Sequence, residues 1–184
     1  MGRAIENLHI VTGGPGAGKT TLLGRLAQDG VVSVPEAGRG VIQAQTAIDG
    51  PALPWRNKAL FAELMLGWEL RSYREALARP KGDPILFDRG MPDIVGYLRL
   101  EGLPIPDHVM RAAESCRYNR RVFIAPPWPE IYRQDAERRQ DLETAERTYA
   151  AMAAAYRDLD YLLTELPRAA VDARAVFVAA RIGL

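Results

Sequence analysis

The chain has 184 residues, of which 48% are hydrophobic and 26% are charged, and its net charge is +1. This composition is typical of one globular domain and excludes a collagen-like, disordered or disulfide-rich protein. The near-zero charge disfavours nucleic acid as a partner, and no apolar run reaches the length of a membrane span. The single cysteine, Cys116, cannot form an internal disulfide, so we expect a cytoplasmic protein.

The first predicted element is a buried, β-branched strand over 8–12. It leads into residues 13–20, which match the phosphate-binding pattern G-x-x-x-x-G-K-[ST] and are called the P-loop below. An amphipathic helix over 21–27 follows, and the N-terminus of a helix favours an anion. Strand, loop and helix in this order predict a nucleoside triphosphate site. The residues expected to hold the nucleotide are Gly13, Gly14, Gly16, Ala17, Gly18, Lys19, Thr20 and Thr21.

A divalent cation is expected beside the phosphates. Lys19 would place its charge on the β- and γ-phosphates, and the Thr20 hydroxyl would hold Mg²⁺. The apolar strand predicted over 84–90 reaches Asp88, and a carboxylate at a strand tip is a suitable second ligand for Mg²⁺. The alternative for Asp88 is an ordinary turn residue at the end of a strand.

A second substrate is expected near residues 36–39. A short β-branched strand over 31–34 ends at Pro35, and Glu36 and Arg39 follow it. Ligands of open α/β sheets collect outside the carboxyl ends of the strands, which is where these two side chains would lie. The alternative is a surface turn that carries a local ion pair.

A long helix is predicted over 55–78, with Leu60, Leu64 and Trp68 repeating at a spacing of four. Together with the preceding residues it would form acceptor-side helices over about 38–78. Trp68 and Trp55 are expected in the core or in the lining of a groove. The following helix is expected over 92–98.

The second half of the chain continues the alternation of strand and helix. Strands are predicted over 121–125 and 161–166, and helices over 150–159 and 171–182. The alternation predicts an α/β protein with a parallel sheet. Residues 131–147 are dense in charge, which is typical either of a solvated helix or of a mobile lid whose arginines close over phosphates.

Several motifs together resemble a P-loop kinase of the nucleoside and nucleotide kinase group. The resemblance is closer still to a bacterial family described as predicted AAA-type ATPases or nucleotide kinases. It covers nearly the whole chain. The segments that carry it are 13–20, 35–39, 87–90, 125–128, 137–139 and 166–167.

The resemblance implies a single domain over 1–184 with a three-layer P-loop NTPase fold. The sheet would have five parallel strands in the order 2-3-1-4-5, with helices on both faces and a helical lid over about 127–145. It implies that ATP is the nucleotide. It also implies that Arg168, after the fifth strand, stacks on the adenine.

The resemblance further assigns roles at the acceptor side. Glu36 would accept the proton of the acceptor hydroxyl or bind the acceptor, together with Arg39. Asp88 and Arg89 would serve the metal and the acceptor. The lid arginines would contact phosphates. These candidates are Arg133, Arg138 and Arg139, and the expected catalytic residues are Lys19, Glu36, Asp88, Arg89 and Arg138.

The expected function is therefore transfer of the γ-phosphate of ATP to a nucleoside, nucleotide or similar small acceptor. The alternative is an ATPase that hydrolyses ATP without such an acceptor. An AAA-type machine would carry a second acid after Asp88 to polarise water, and this chain has Arg89 there. No nucleic acid or membrane partner is expected.

Overall fold

The computed structural model describes residues 5–80, 82–132 and 139–184, and for residues 131, 132 and 139–141 the backbone alone. The strands are β1 (Leu8–Gly13), β2 (Val32–Val34), β3 (Ile85–Asp88), β4 (Arg121–Ala125) and β5 (Leu162–Glu165). The helices are α1 (Lys19–Gln28), α2 (Ala37–Ala47), α3 (Lys58–Leu77), α4 (Met91–Leu100), α5 (Asp107–Ser115), α6 (Pro129–Tyr132), α7 (Arg139–Asp158) and α8 (Val171–Ile182).

The five strands form one parallel sheet in the order β2-β3-β1-β4-β5, which confirms the predicted fold. The central strand β1 pairs with β3, where Ile10 lies opposite Phe87, and with β4, where Ile10 lies opposite Val122. Helices connect successive strands, as parallel pairing requires. The carboxyl ends of β1, β2 and β3 therefore lie side by side at one edge of the sheet.

Two apolar cores cover the two faces of the sheet. Because side chains alternate along a strand, Leu8 and Ile10 join the core beneath α3, α4 and α7, whereas Val11 joins the core beneath α1 and α8. The sheet is thus the middle layer of three. Among the described residues, no helix is both long and apolar enough to span a membrane.

Some predicted boundaries differ from the observed ones. Residues 37–39 are the first residues of α2, so the surface turn considered for this segment is wrong. The helix predicted from residue 55 begins only at Lys58, because residues 53–57 form turns and Asn57 caps the helix by accepting a hydrogen bond from the Leu60 N–H. The predicted end of the lid, residue 145, lies inside α7, which continues to Asp158.

The apolar stripe whose spacing predicted the helix α3 is not its buried face. Leu60, Leu64 and Trp68 are 37–38% exposed, whereas the neighbouring stripe that contains Phe61 and Met65 is buried. The spacing of four occurs in both stripes, so the sequence period alone does not decide between them. Trp68 lines a groove beside Gly40 of α2, as expected. For Trp55, which is 65% exposed, the expectation of a core or groove position is wrong.

His9 is a buried residue of β1, and its Nδ1 has no hydrogen-bond partner in the described part of the chain. Burial, and to a lesser extent the charge of Arg121, lowers the pKa of His9 from 6.5 to about 4. The imidazole is therefore neutral in the folded protein at neutral pH. Protonation of His9 is favoured only after unfolding.

We predict that this histidine makes the protein sensitive to acid. As the pH falls from 6.5 to about 4, His9 binds a proton in the unfolded chain and stays neutral in the folded chain. The free energy of unfolding should then decrease by about 3 kcal/mol, and above pH 6.5 the effect should be absent. Urea denaturation of the wild type and of His9→Gln at a series of pH values measures the difference. His108→Gln, at an exposed histidine, is the control and should follow the wild type.

Candidate active site

The P-loop holds its lysine ready for a phosphate. Lys19 is the first residue of α1, and its Nζ donates to the carbonyl oxygens of Gly13, at 3.2 Å, and of Gly14, at 2.8 Å. Burial, followed by the charge of Arg89, lowers the pKa of Lys19 to about 8. A phosphate beside the ammonium would favour the charged form and offset this cost.

Two close approaches fix the shape of the P-loop. Gly18 has φ of +74°, and a Cβ there would lie 2.7 Å from Nη1 of Arg174. A Cβ on Gly14 would lie 2.6 Å from the carbonyl oxygen of Ala145 in α7. A side chain at Gly18 would therefore displace the guanidinium of Arg174, and a side chain at Gly14 would displace the backbone of α7. The P-loop therefore packs against both α7 and α8.

Arg174 contacts the P-loop directly. It belongs to α8, is 4% exposed, and donates from Nη2 to the carbonyl oxygen of Ala17 at 3.1 Å. Burial lowers the pKa of Arg174, yet arginine remains charged at neutral pH. No carboxylate pairs with it in the described parts of the chain. Its charge is thus available to the anion that binds at the P-loop.

Thr20 and Asp88 come together as the sequence predicts for a metal site. The Thr20 hydroxyl donates to Oδ2 of Asp88 at 3.4 Å, and Oδ1 of Asp88 is buried without a partner among the described residues. Burial raises the pKa of Asp88, with the neighbouring carboxylates of Glu36 and Asp93 adding to the effect. An orphaned, buried carboxylate oxygen beside a hydroxyl fits a hard cation such as Mg²⁺. In the described ranges no cluster of three or more acidic, histidine or cysteine ligands exists, so phosphates would have to complete the shell.

Arg89 joins the acceptor-side carboxylates. Its Nε donates to Oε1 of Glu36 at 3.0 Å, and its Nη1 donates to Oδ1 of Asp93 at 3.1 Å. Burial alone would lower the pKa of Arg89, but these carboxylates and that of Asp88 raise it above the usual value. Burial opposes the charge on Glu36, yet Arg89 and Lys19 lower the pKa of Glu36. Both partners are therefore charged at neutral pH.

Asp93 anchors this arrangement and was missed by the sequence analysis. Besides Arg89, it accepts hydrogen bonds from the hydroxyls of Thr12 and Tyr156, both at 2.5 Å, and from the backbone N–H of Gly90 at 2.9 Å. Asp93 thereby joins β1, α4 and α7. Its position three residues after Gly90, in the first turn of α4, was a visible sign of a capping role.

Two cavities meet at Glu36 and Arg39. The larger, of about 710 Å³, reaches from Pro15 of the P-loop to α3, α4 and α7. The smaller, of about 560 Å³, contains Thr20 and Asp88. Because Glu36 and Arg39 line both, the structure brings the predicted acceptor residues and the predicted metal residues to one place.

The remaining predicted residues fall elsewhere or outside the described residues. Arg168 is exposed in the loop between β5 and α8, and its contact with adenine stays a prediction. Arg133 and Arg138 lie outside the described residues. Arg139 begins α7, and its side chain is not among those described. The lid therefore also stays a prediction.

Two more residues escaped the sequence analysis because they interrupt apolar stripes. Arg174 lies on the face of α8 that carries Ala175 and Val178, and Glu69 lies on the buried face of α3 four residues after Met65. A charged residue on the core-facing stripe of a helix is costly to bury unless it has a task. This interruption was the signal that could have identified both.

The fold and this site define a P-loop protein with a fold like that of nucleotide and nucleoside kinases. The chain belongs to the AAA domain family, whose sequence model matches residues 8–174. No curated protein sequence matches the chain significantly.

Solved structures with similar folds include kinases of small molecules. Deoxyadenosine kinase from M. mycoides with bound dATP is 13% identical with a TM-score of 0.58, over 96% of this chain and 99% of that one. The same enzyme with products is 12% identical with a TM-score of 0.60, over 95% and 98%. Shikimate kinase from Acinetobacter baumannii in complex with shikimate is 15% identical with a TM-score of 0.53, over 96% and 93%. At these identities the likeness establishes the fold.

We predict that Asp88→Asn separates metal binding from stability. The variant removes a buried carboxylate that burial already disfavours, so its free energy of unfolding should be unchanged or higher. Its turnover of ATP should fall and should require more Mg²⁺ for half-maximal rate. Thermal denaturation and a Mg²⁺ titration of ATP turnover measure the two effects. An unchanged Mg²⁺ requirement would remove Asp88 from the metal site.

We also predict that Arg174→Met weakens nucleotide binding about tenfold, which corresponds to about 1.4 kcal/mol, because the P-loop loses a charge and a hydrogen bond. Fluorescence titration with a labelled ADP measures the Kd. Arg117→Met is the matched control, since Arg117 is also buried and donates to a backbone carbonyl, that of Leu159 at 2.8 Å. It should lower stability without changing the Kd. Equal Kd values for both variants would contradict the role of Arg174.

Proposed function

We propose that this protein transfers the γ-phosphate of ATP to a hydroxyl group of a small molecule bound in the larger cavity. The observation that carries the proposal is the position of Glu36. It lines both the large cavity and the smaller one with Thr20 and Asp88, so it lies where an acceptor and a phosphate chain would meet. The two solved kinases named above are similar in fold, and their acceptors are small molecules.

The nucleotide would bind with its phosphates in the P-loop. The backbone N–H groups at the start of α1 and the ammonium of Lys19 would hold the β- and γ-phosphates. Thr20 and Asp88 would hold Mg²⁺, which neutralises phosphate charge when bound. Arg174 would add a fixed positive charge behind the P-loop.

The acceptor hydroxyl would be activated by Glu36. The hydroxyl oxygen forms a bond to the γ-phosphorus while the bond to the oxygen between the β- and γ-phosphorus atoms breaks, and ADP leaves with that electron pair. The hydroxyl proton passes to the Glu36 carboxylate. The lowered pKa of Glu36 keeps the carboxylate ionised and able to accept it.

Arg89 would fix the direction of the base. Its ion pair uses Oε1 of Glu36, so we assign Oε2 to the acceptor. Asp93 holds the other side of the guanidinium, which prevents Arg89 from moving away with the substrate. If the acceptor is instead a phosphate, no base is needed, and Arg89 and Arg39 would bind that phosphate.

Lid arginines would complete the transition-state charge. The predicted candidates Arg133, Arg138 and Arg139 follow α6 and would close over the phosphates, which also keeps water from the γ-phosphate. Hydrolysis without an acceptor is the competing function. Hydrolysis needs no acceptor cavity, so a large cavity lined by Glu36 and Arg89 favours phosphoryl transfer over hydrolysis.

The deciding experiment is a transfer assay with [γ-³²P]ATP and Mg²⁺. Pooled nucleosides, nucleoside monophosphates and small hydroxylated acids, including shikimate, are offered, and free phosphate is counted in parallel. A labelled acceptor well above free phosphate supports the proposal. Rapid release of free phosphate that no acceptor diverts would establish the ATPase alternative. Lys19→Ala should abolish both signals and serves as the background.

We predict that Glu36→Gln lowers the transfer rate about 10²- to 10⁴-fold while ATP affinity stays within about twofold, because the amide cannot accept the proton. Steady-state kinetics with the labelled acceptor and a nucleotide titration measure the two quantities. Glu63→Gln, at an exposed glutamate that pairs with His108, is the matched control and should behave as the wild type. Transfer by Glu36→Gln at the wild-type rate would show that Glu36 is not the base.

A further inference from the structure

The larger cavity has charged residues beside the P-loop and mostly apolar walls, with Glu101 at the end of α4 as a further charged lining residue. Glu36, Arg39 and Arg89 lie at the end near the P-loop. The walls come from α2, α3, α4 and α7, and their apolar residues include Ile42, Phe61, Met65, Ile94, Tyr97 and Met152. The rings of Phe61 and Tyr97 meet edge to face with centroids 5.5 Å apart. Such walls suit a flat ring rather than a small molecule covered with hydroxyl groups.

A buried carboxyl group interrupts these apolar walls. Glu69 of α3 lines the cavity, is 3% exposed, and its Oε2 has no hydrogen-bond partner among the described residues. Tyr97 lines the same cavity, and its hydroxyl is buried without a partner in the same part of the chain. An unpaired buried polar group costs about 1–3 kcal/mol. Two of them on one cavity are an independent indication of a ligand that pairs with both.

The charge state of Glu69 defines what it can bind. Burial, followed by the charges of Asp93, Asp88 and Glu36, raises the pKa of Glu69 well above its usual value. Burial therefore favours the neutral carboxylic acid, which has one O–H donor and one carbonyl acceptor side by side. The edge of a nucleobase presents the matching pair, a ring nitrogen next to an amino or carbonyl group.

From this geometry we infer that the large cavity binds a nucleoside as the phosphate acceptor, with Glu69 hydrogen-bonded to the edge of the base and Tyr97 to a second polar atom of the nucleoside. The inference rests on the proposed function, in which the cavity is the acceptor site. Phe61, Met65 and Met152 provide apolar contact for the base. The sugar then lies toward Glu36 and Arg89, where its hydroxyl is to be phosphorylated. Glu69 is a specificity-determining residue and takes no part in the transfer itself.

The test measures nucleoside binding directly. Isothermal titration uses the full chain with Mg²⁺ and a non-hydrolysable ATP analogue, and the probes are deoxyadenosine, deoxycytidine, deoxyguanosine and thymidine, with shikimate as the non-nucleoside probe. We expect at least one nucleoside to bind the wild type, and Glu69→Gln to keep its Kd within about threefold, since an amide also offers a donor and an acceptor. Glu69→Leu should raise the Kd at least about tenfold, with the Kd of the ATP analogue unchanged.

Two further variants keep the result interpretable. Glu63→Leu places the same substitution at an exposed site of the same helix and should bind the nucleoside as the wild type does. Tyr97→Phe removes a hydroxyl that has no partner among the described residues, so it should not destabilise the protein. It should weaken nucleoside binding by about threefold to tenfold. This measurement stands even if Glu69→Leu does not fold.

Kinetics separate a binding role from a merely structural one. With a labelled nucleoside acceptor, Glu69→Leu should raise the KM for the nucleoside and leave kcat at saturation unchanged. Nucleoside binding with the wild-type Kd in both Glu69→Leu and Tyr97→Phe would overturn the assignment of these residues. Binding of none of the four nucleosides would overturn the assignment of the cavity.

The two proposals fail in different ways. If the transfer assay labels shikimate or another non-nucleoside while no nucleoside binds, phosphoryl transfer stands and the nucleoside assignment is wrong. If a nucleoside binds through Glu69 but is never labelled, the assignment of the cavity stands and the transfer function is wrong.

Discussion

The structure of the site depends on how buried charge is balanced at the carboxyl edge of the sheet. Three carboxylates, Glu36, Asp88 and Asp93, share this edge with two cations, Lys19 and Arg89. Burial of so much charge is tolerated only when each group has a partner. Arg89 supplies most of the pairing, since one guanidinium bonds two carboxylates from different elements. The backbone of Arg89 has φ of +76°, a left-handed conformation that costs a non-glycine residue about 1–2 kcal/mol.

The same balance connects the site to α7, whose first residues overlap the predicted lid. Tyr156 of α7 donates to Asp93, and Ala145 of the same helix lies against Gly14 of the P-loop. A single helix therefore contacts both the phosphate side and the acceptor side. If the predicted lid closes through a movement of α7, the movement would reach Asp93, and through it Arg89 and Glu36. The proposed base would then be fully positioned only in the closed enzyme, which would limit hydrolysis when no acceptor is present.

The sequence predicted most of the fold because its signals are local. The P-loop needs a strand before it and a helix after it, and the apolar runs predicted as strands at 8–12 and 121–125 lie in β1 and β4. The order of the strands came from the resemblance, since no local pattern determines which strands are neighbours. The P-loop residues were predicted from their local pattern. The meeting of Thr20 with Asp88 was predicted because the strand ends of a parallel sheet lie at one edge.

The roles of the other site residues could not be predicted, because they depend on contacts that are distant in sequence. Arg174 reaches the P-loop only because α8 packs on α1, which brings residue 174 next to residue 18. The buried face of α3 depends on how the helix rotates over the sheet, and two apolar stripes of equal period left that rotation undetermined. Glu69 lies on the buried stripe, which the helical period alone did not distinguish from the exposed one. Its role follows only from the cavity it lines.

Glu69 and Asp88 show how one edge of a sheet can give two carboxyl groups different chemistry. Burial raises the pKa of both. Asp88, however, has the Thr20 hydroxyl beside it and the charge of Lys19 near it, and the proposed Mg²⁺ would further favour its ionised form. Glu69 lies among apolar side chains, and burial and the charges of the other carboxylates disfavour its ionisation more than Arg89 favours it. The first group is suited to hold a metal, and the second, by remaining neutral, is suited to form hydrogen bonds with an uncharged base.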